Sequence, residues 1–119
     1  MSNFAVEFFE KEDGTYPAEE FILSLDIKMR AKAFRTLELL ELKGNFLREP
    51  YSKHLEDGIF ELRIKQSNNI ARVLYFFVIG NRVILTNGFI KKTQKTPTKE
   101  IEISKQRRKE FKQRSEKND

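Results

Sequence analysis

The chain has 119 residues, a formal net charge of +5, eleven phenylalanines, one histidine and no cysteine or tryptophan. Its length suits one domain, residues 1–119, with a core built largely from aromatics that each bury about 150–250 Å². The composition excludes a disulfide framework and a thiolate metal site; with no secretory signal at Met1-Ser2-Asn3 and no apolar run near the roughly 20 residues that span a bilayer, it predicts a cytoplasmic chain with no membrane partner.

In chain order, Phe4, Val6 and Phe8 share one face at period two, which predicts a short half-buried strand. Asp13-Gly14 breaks it, and Pro17 suits the first turn of a helix, where its missing N–H costs nothing. Phe21, Ile22 and Leu25 stripe that helix. Asp26 is expected to cap a second helix, striped by Ala33, Phe34, Leu37, Leu40 and Leu42 and ended at Gly44-Asn45. The second half reads as sheet. Ile59 to Lys65 alternates, Ser67-Asn68-Asn69 turns, Ile70 to Ile79 is almost continuously apolar, Gly80-Asn81 suits a two-residue hairpin, and Arg82 to Ile90 returns. After a loop at Lys91 to Lys95, Thr96 and Pro97 are expected as N-cap and first residue of a last helix, with Glu100 and Glu102 near its positive end. The polar residues beyond Phe111 are expected to fray. The predicted order is β-α-α-β-β-β-α, an α+β domain with a helical hairpin against an antiparallel meander.

Charge is unevenly placed. From Lys91 to Arg114 there are ten Lys or Arg against three Glu, which suits a polyanion, nucleic acid ahead of a membrane surface. One histidine and dispersed carboxylates give no two-metal nuclease. No Gly-x-Ser-x-Gly elbow, glycine-rich phosphate loop or compact helical trio is present, which argues against a serine hydrolase, a nucleotidase and a helix-turn-helix reader. No metal and no cofactor are expected. There remain basic groups on strands and strand ends: Lys53, His54, Arg63, Lys65, Arg72, Lys91, Lys92 and Lys95. Arg72 stands out because a guanidinium inside an apolar strand is costly unless a phosphate, or Glu61 on the adjacent strand, meets it. Tyr75, three residues on, points to the opposite face and reads as core. His54, with an ordinary pKa of about 6.5, suits general acid or base work or a purely structural place. Gln94 reads either as a base contact or as a helix cap, and Gly58 and Gly88 as bulge or close-packing positions.

Three segments carry a resemblance: Asp57-Gly58-Ile59-Phe60-Glu61-Leu62-Arg63-Ile64, Arg72-Val73-Leu74-Tyr75-Phe76-Phe77, and the ten residues from Gly88 to Pro97. Along essentially its whole length the chain resembles the phage-derived HigB-like branch of the RelE/ParE toxin superfamily. The resemblance implies a RelE-like fold and a toxin of a type II toxin–antitoxin system that cuts translated mRNA by attack of a ribose 2′-OH on the adjacent phosphate without metal. It implies Arg72 at the phosphate, Arg63 beside it, Lys53 and His54 as a basic approach to the second strand, and Glu49 as a base. Lys65, Lys91, Lys92, Gln94 and Lys95 are then RNA contacts, the Lys91–Lys95 loop standing where other branches carry a histidine or tyrosine. The implied partners are mRNA, the ribosome and a HigA-like helix-turn-helix antitoxin. Two alternatives stay open: a ParE-like inhibitor of DNA gyrase on the same fold, and an RNA-binding adaptor without activity.

Overall fold

A computed structural model describes residues 3–117. The order is β1 (Ala5–Phe8), α1 (Pro17–Ser24), α2 (Ile27–Lys43), a 3-10 turn (Gly44–Phe46), β2 (Ser52–Glu56), β3 (Ile59–Gln66), β4 (Asn69–Val78), β5 (Arg82–Ile90) and α3 (Thr98–Lys117). The five strands form one sheet in the order β1-β5-β4-β3-β2. Strands β2 to β5 run as an antiparallel meander, and β1 lies parallel to β5, Ala5 opposite Arg82 and Phe8 opposite Leu85. The sheet is therefore mixed, not purely antiparallel, because the chain returns to the far edge only after the helical hairpin has crossed one face.

That hairpin begins as expected, with Pro17 in the first turn of α1 and the Asp26 carboxylate accepting from Met29 N–H at 2.9 Å. Gly44 ends α2 at a φ of 53°. Ala18, Ile22, Met29, Ala33, Leu37 and Leu40 pack on Leu62, Ile64, Val73, Tyr75, Val83 and Leu85 of the sheet, and Val6 and Phe8 of β1 join them with Phe4 just before it. Phe34 and Leu42, expected in the stripe, are exposed at 41% and 55%, and Thr36 is buried in their stead. The buried arc of α2 is narrower than its apolar pattern, since the side against β3, β1 and α1 is covered and the rest faces solvent.

On the other face α3 closes a second core of Ile59, Leu74, Phe76, Ile84 and Ile101, with Phe111 edge-on to Phe76 at 5.8 Å. The helix runs to Lys117 instead of fraying after Phe111, because Phe111 and Arg114 are held: Arg82 lies over the Phe111 ring and Arg114 over that of Phe9. Thr96 does not cap it; its hydroxyl donates to Glu61, and the Pro97 carbonyl accepts from Glu100 and Ile101 instead.

One strand more than expected is present. β2 has no apolar alternation, and only Ser52 of its residues is buried. Its pairing is fixed by the Asp57-Gly58 turn, whose φ values of 50° and 74° give the twist of a tight hairpin. Gly80 and Asn81 take positive φ as expected, although with Ile79 they make a three-residue loop between Val78 and Arg82.

Candidate functional site

The α3 helix leaves one end of its sheet face open. There, Arg63 and Arg72 are directly paired neighbours on β3 and β4, with Tyr51 beside Arg63 and Phe89 beside Arg72. Alternation puts Glu61 and Lys65 on the same face as Arg63, while Leu62 and Ile64 turn to the helical hairpin.

Glu61 is the hub. Its carboxylate is buried, accepts from Arg72 Nη1 and from Arg63 Nε at 3.3 Å through one oxygen, and accepts from the Thr96 hydroxyl through the other. Arg72 is 5% exposed, and its Nε is buried with no hydrogen-bond partner among the described residues. The carboxylate that the sequence offered as an alternative to phosphate is thus in place. Burial lowers the Arg72 pKa against the opposing pull of Glu61. Arg63 is more open, its side chain 26% exposed, and it also donates Nη1 to Glu49 at 3.0 Å. On the far side stands Lys91, whose backbone N–H is held by the Ile70 carbonyl. Partial desolvation, then the charges of Arg72 and Arg63, lower its ammonium pKa.

Three adjoining grooves surround these groups. One of about 500 Å³ is lined by Lys32, Pro50, Tyr51, Arg63, Lys65, Ser67, Ile70 and Arg72. A second, of about 210 Å³, shares Arg63 and adds Lys53, Glu61, Gln94, Lys95 and Thr96. A third, of about 370 Å³, shares Ile70 with the first and Gln94 with the second, and adds Lys91, Lys92 and Thr93. The loop between is pinned by the Thr93 hydroxyl donating to the Lys95 carbonyl at 2.8 Å. Among the described residues no three His, Asp or Glu side chains converge to hold a cation.

Most of the residues singled out in the sequence meet here: Arg63, Arg72, Lys53, Lys65, Lys91, Lys92, Gln94 and Lys95 line the grooves, and Glu49 stands over Arg63. His54 is the exception. It borders the second groove, but its imidazole packs edge-on against Phe60 at 5.0 Å, among the residues facing the hairpin, and its Nε2 accepts from Gly58 N–H at 3.1 Å. Tyr51 and Lys32 line the first groove without any mark in the sequence pattern. Tyr51 is one period-two step before Lys53, a signal that the missed β2 concealed. Lys32 belongs to α2 and arrives through tertiary packing alone.

No helix among the described residues is long and apolar enough to cross a membrane. In a sequence comparison no curated protein matches the chain. Residues 20–109, from within α1 to well into α3, match the family model described as phage derived protein Gp49-like (DUF891). The chain belongs to that family, which is toxin-like, is associated with the toxins of toxin–antitoxin pairs and so implies an antitoxin partner.

Proposed function

We propose that the protein is an mRNA endoribonuclease toxin of the RelE/HigB kind, cutting by internal attack of a 2′-OH without metal. One observation carries the reading: two cross-strand arginines flanked by a carboxylate on the β2 side and a lysine of lowered pKa on the β5 side. An in-line displacement needs a base and an acid on opposite sides of the phosphorus, with fixed positive charge between them. Glu49, 64% exposed at its side chain, takes the 2′-hydroxyl proton. The 2′-oxygen bonds to phosphorus, the bond to the 5′-oxygen breaks, and Lys91 protonates that oxygen. The products are a 2′,3′-cyclic phosphate and a 5′-hydroxyl.

Arg63 meets the phosphate from solvent, and Arg72 adds fixed charge behind it. Arg72→Ala would leave Glu61 with less compensation and so perturb the fold as well as the site, since breaking a buried pair costs about 3–5 kcal/mol. The sharper tests are Arg63→Ala, Glu49→Gln and Lys91→Met in the full chain, on translated mRNA and on a short oligoribonucleotide in EDTA. Cleavage is expected to fall about 10²–10⁴-fold for the acid and base variants. The wild-type rate is expected to fall as rising pH deprotonates Lys91, at a pH below the ordinary lysine range. Products with 3′-hydroxyl and 5′-phosphate ends would overturn the mechanism, and uncut transcripts with DNA damage would favour a gyrase target.

The antitoxin, by this reading a helix-turn-helix protein of the HigA kind, silences the site either by laying acidic side chains over Arg63 and Lys91 or by covering the hairpin and blocking the ribosome. Charge reversal at Arg63 and Lys91 abolishes its capture in the first case only.

A further inference from the structure

The 500 Å³ groove holds more than phosphate chemistry requires. Beside its cations it has an aromatic ring, Tyr51, and two aliphatic surfaces, Pro50 and Ile70. Its size lies within the usual range for pockets that take a small organic group, about 300–1,000 Å³. A phosphate has no use for apolar walls, whereas a nucleotide unit needs both, cations for its backbone and a flat surface for its base.

Tyr51 is set apart from the other sheet aromatics. Phe60, Tyr75 and Phe77 pack on one another with centroids 5.1–5.7 Å apart, under the helical hairpin. Tyr51 is on the opposite face, 42% exposed, and among the described residues no aromatic ring or side-chain hydrogen bond engages it. Its backbone is nevertheless fixed, for the Tyr51 carbonyl accepts from Arg63 N–H at 2.8 Å. Neighbouring strand positions lie about 5 Å apart. A base resting on the ring therefore keeps its own phosphate within reach of Arg63.

We propose that Tyr51 is the stacking platform for one unpaired RNA base beside the scissile phosphate, with Ile70 and Pro50 bounding the slot and Lys32 meeting the flanking phosphate. The inference rests on the RNA-cleavage reading and adds to it a specificity subsite: a base flipped from its stack, read by shape and aromatic contact.

The test uses the full-length wild type with Tyr51→Phe and Tyr51→Ala. The probe is a short single-stranded oligoribonucleotide with 2′-fluoro sugars, which lack the attacking hydroxyl, carrying 2-aminopurine at successive positions, and an abasic counterpart. The chain has no tryptophan to obscure the probe's emission. At one position, wild type and Tyr51→Phe are expected to quench the fluorophore and Tyr51→Ala to leave it bright. Affinity for the base-bearing strand should drop roughly 5- to 160-fold in Tyr51→Ala, the range of one base–aromatic stack. The abasic strand should bind wild type and Tyr51→Ala equally, and the salt dependence should be the same for both. Equal affinity and equal quenching in wild type and Tyr51→Ala overturn the subsite and leave the nuclease standing. A wild type that binds neither strand overturns the subsite, while the nuclease reading stands or falls on cleavage of translated mRNA by the same protein.

Discussion

Tyr75 lies at the centre of the sheet, its phenol 1% exposed and sharing a hydrogen bond with the Ser52 hydroxyl. Burial pushes its pKa up to about 12, against the smaller opposing effects of the Ser52 bond and the Arg48 charge. A group whose pKa is raised on folding contributes stability in full below its unfolded value of 10.0, and that contribution is lost as pH climbs to about 12. The loss is roughly 2–3 kcal/mol across the window. Tyr75→Phe is expected to cost about 1 kcal/mol at neutral pH, through the Ser52 hydroxyl left behind, and to soften the alkaline decline. Urea midpoints at pH 7 and pH 11 for both proteins check this. Tyr75 and Arg72 were legible in the sequence together, because an offset of three on a strand sends one to each face. Glu61 was legible as a partner for Arg72. That it also gathers Arg63 and Thr96 depends on where α3 begins, which local pattern misplaced.

At the scale of the elements, close approach decides more than propensity. Gly88 on β5 faces Phe21 of α1, and a Cβ at that position would run into the Phe21 ring. Gly88→Ala is therefore expected to cost about 1–3 kcal/mol by overpacking. In a Phe21→Ala background the same change should cost much less, since the ring it strikes is gone. Thermal unfolding of the four proteins in that cycle measures the coupling. The sequence identified Gly88 as a packing position but could not name its neighbour. Periodicity located β1, the hairpin, β3, β4 and β5, because each has a buried face large enough to leave an apolar rhythm. It missed β2, an edge strand whose side chains are mostly exposed and whose only local signature is the Asp57-Gly58 turn. With β2 went the recognition that Tyr51 and Lys53 share the face of Arg63.

For the whole molecule, charge is concentrated where the three grooves meet. Lys32, Lys53, Arg63, Lys65, Arg72, Lys91, Lys92 and Lys95 ring an opening that holds three carboxylates, Glu49, Glu61 and the Lys105-paired Glu56. Binding to single-stranded RNA is expected to weaken steeply with salt, with a logarithmic slope of about −0.7 per contacted phosphate. Replacing Lys91, Lys92 and Lys95 together by glutamine should flatten that slope by about 2 units if all three meet phosphates. Binding isotherms over a range of potassium chloride concentrations read this out. The composition made the charge legible; its convergence depends on sheet order. That order also governs when the grooves are assembled as the chain is made. β5 lies between β1 and β4, so the first strand made waits for almost the last, and loop closure over so long a span precedes any reward in contacts. Lys91 follows directly on β5, and Thr96 locks Glu61 only as α3 begins. On the nuclease reading, a nascent chain still held in the ribosome up to β5 has no assembled site, so the message that encodes the toxin is translated through its strands before any copy made from it can cut.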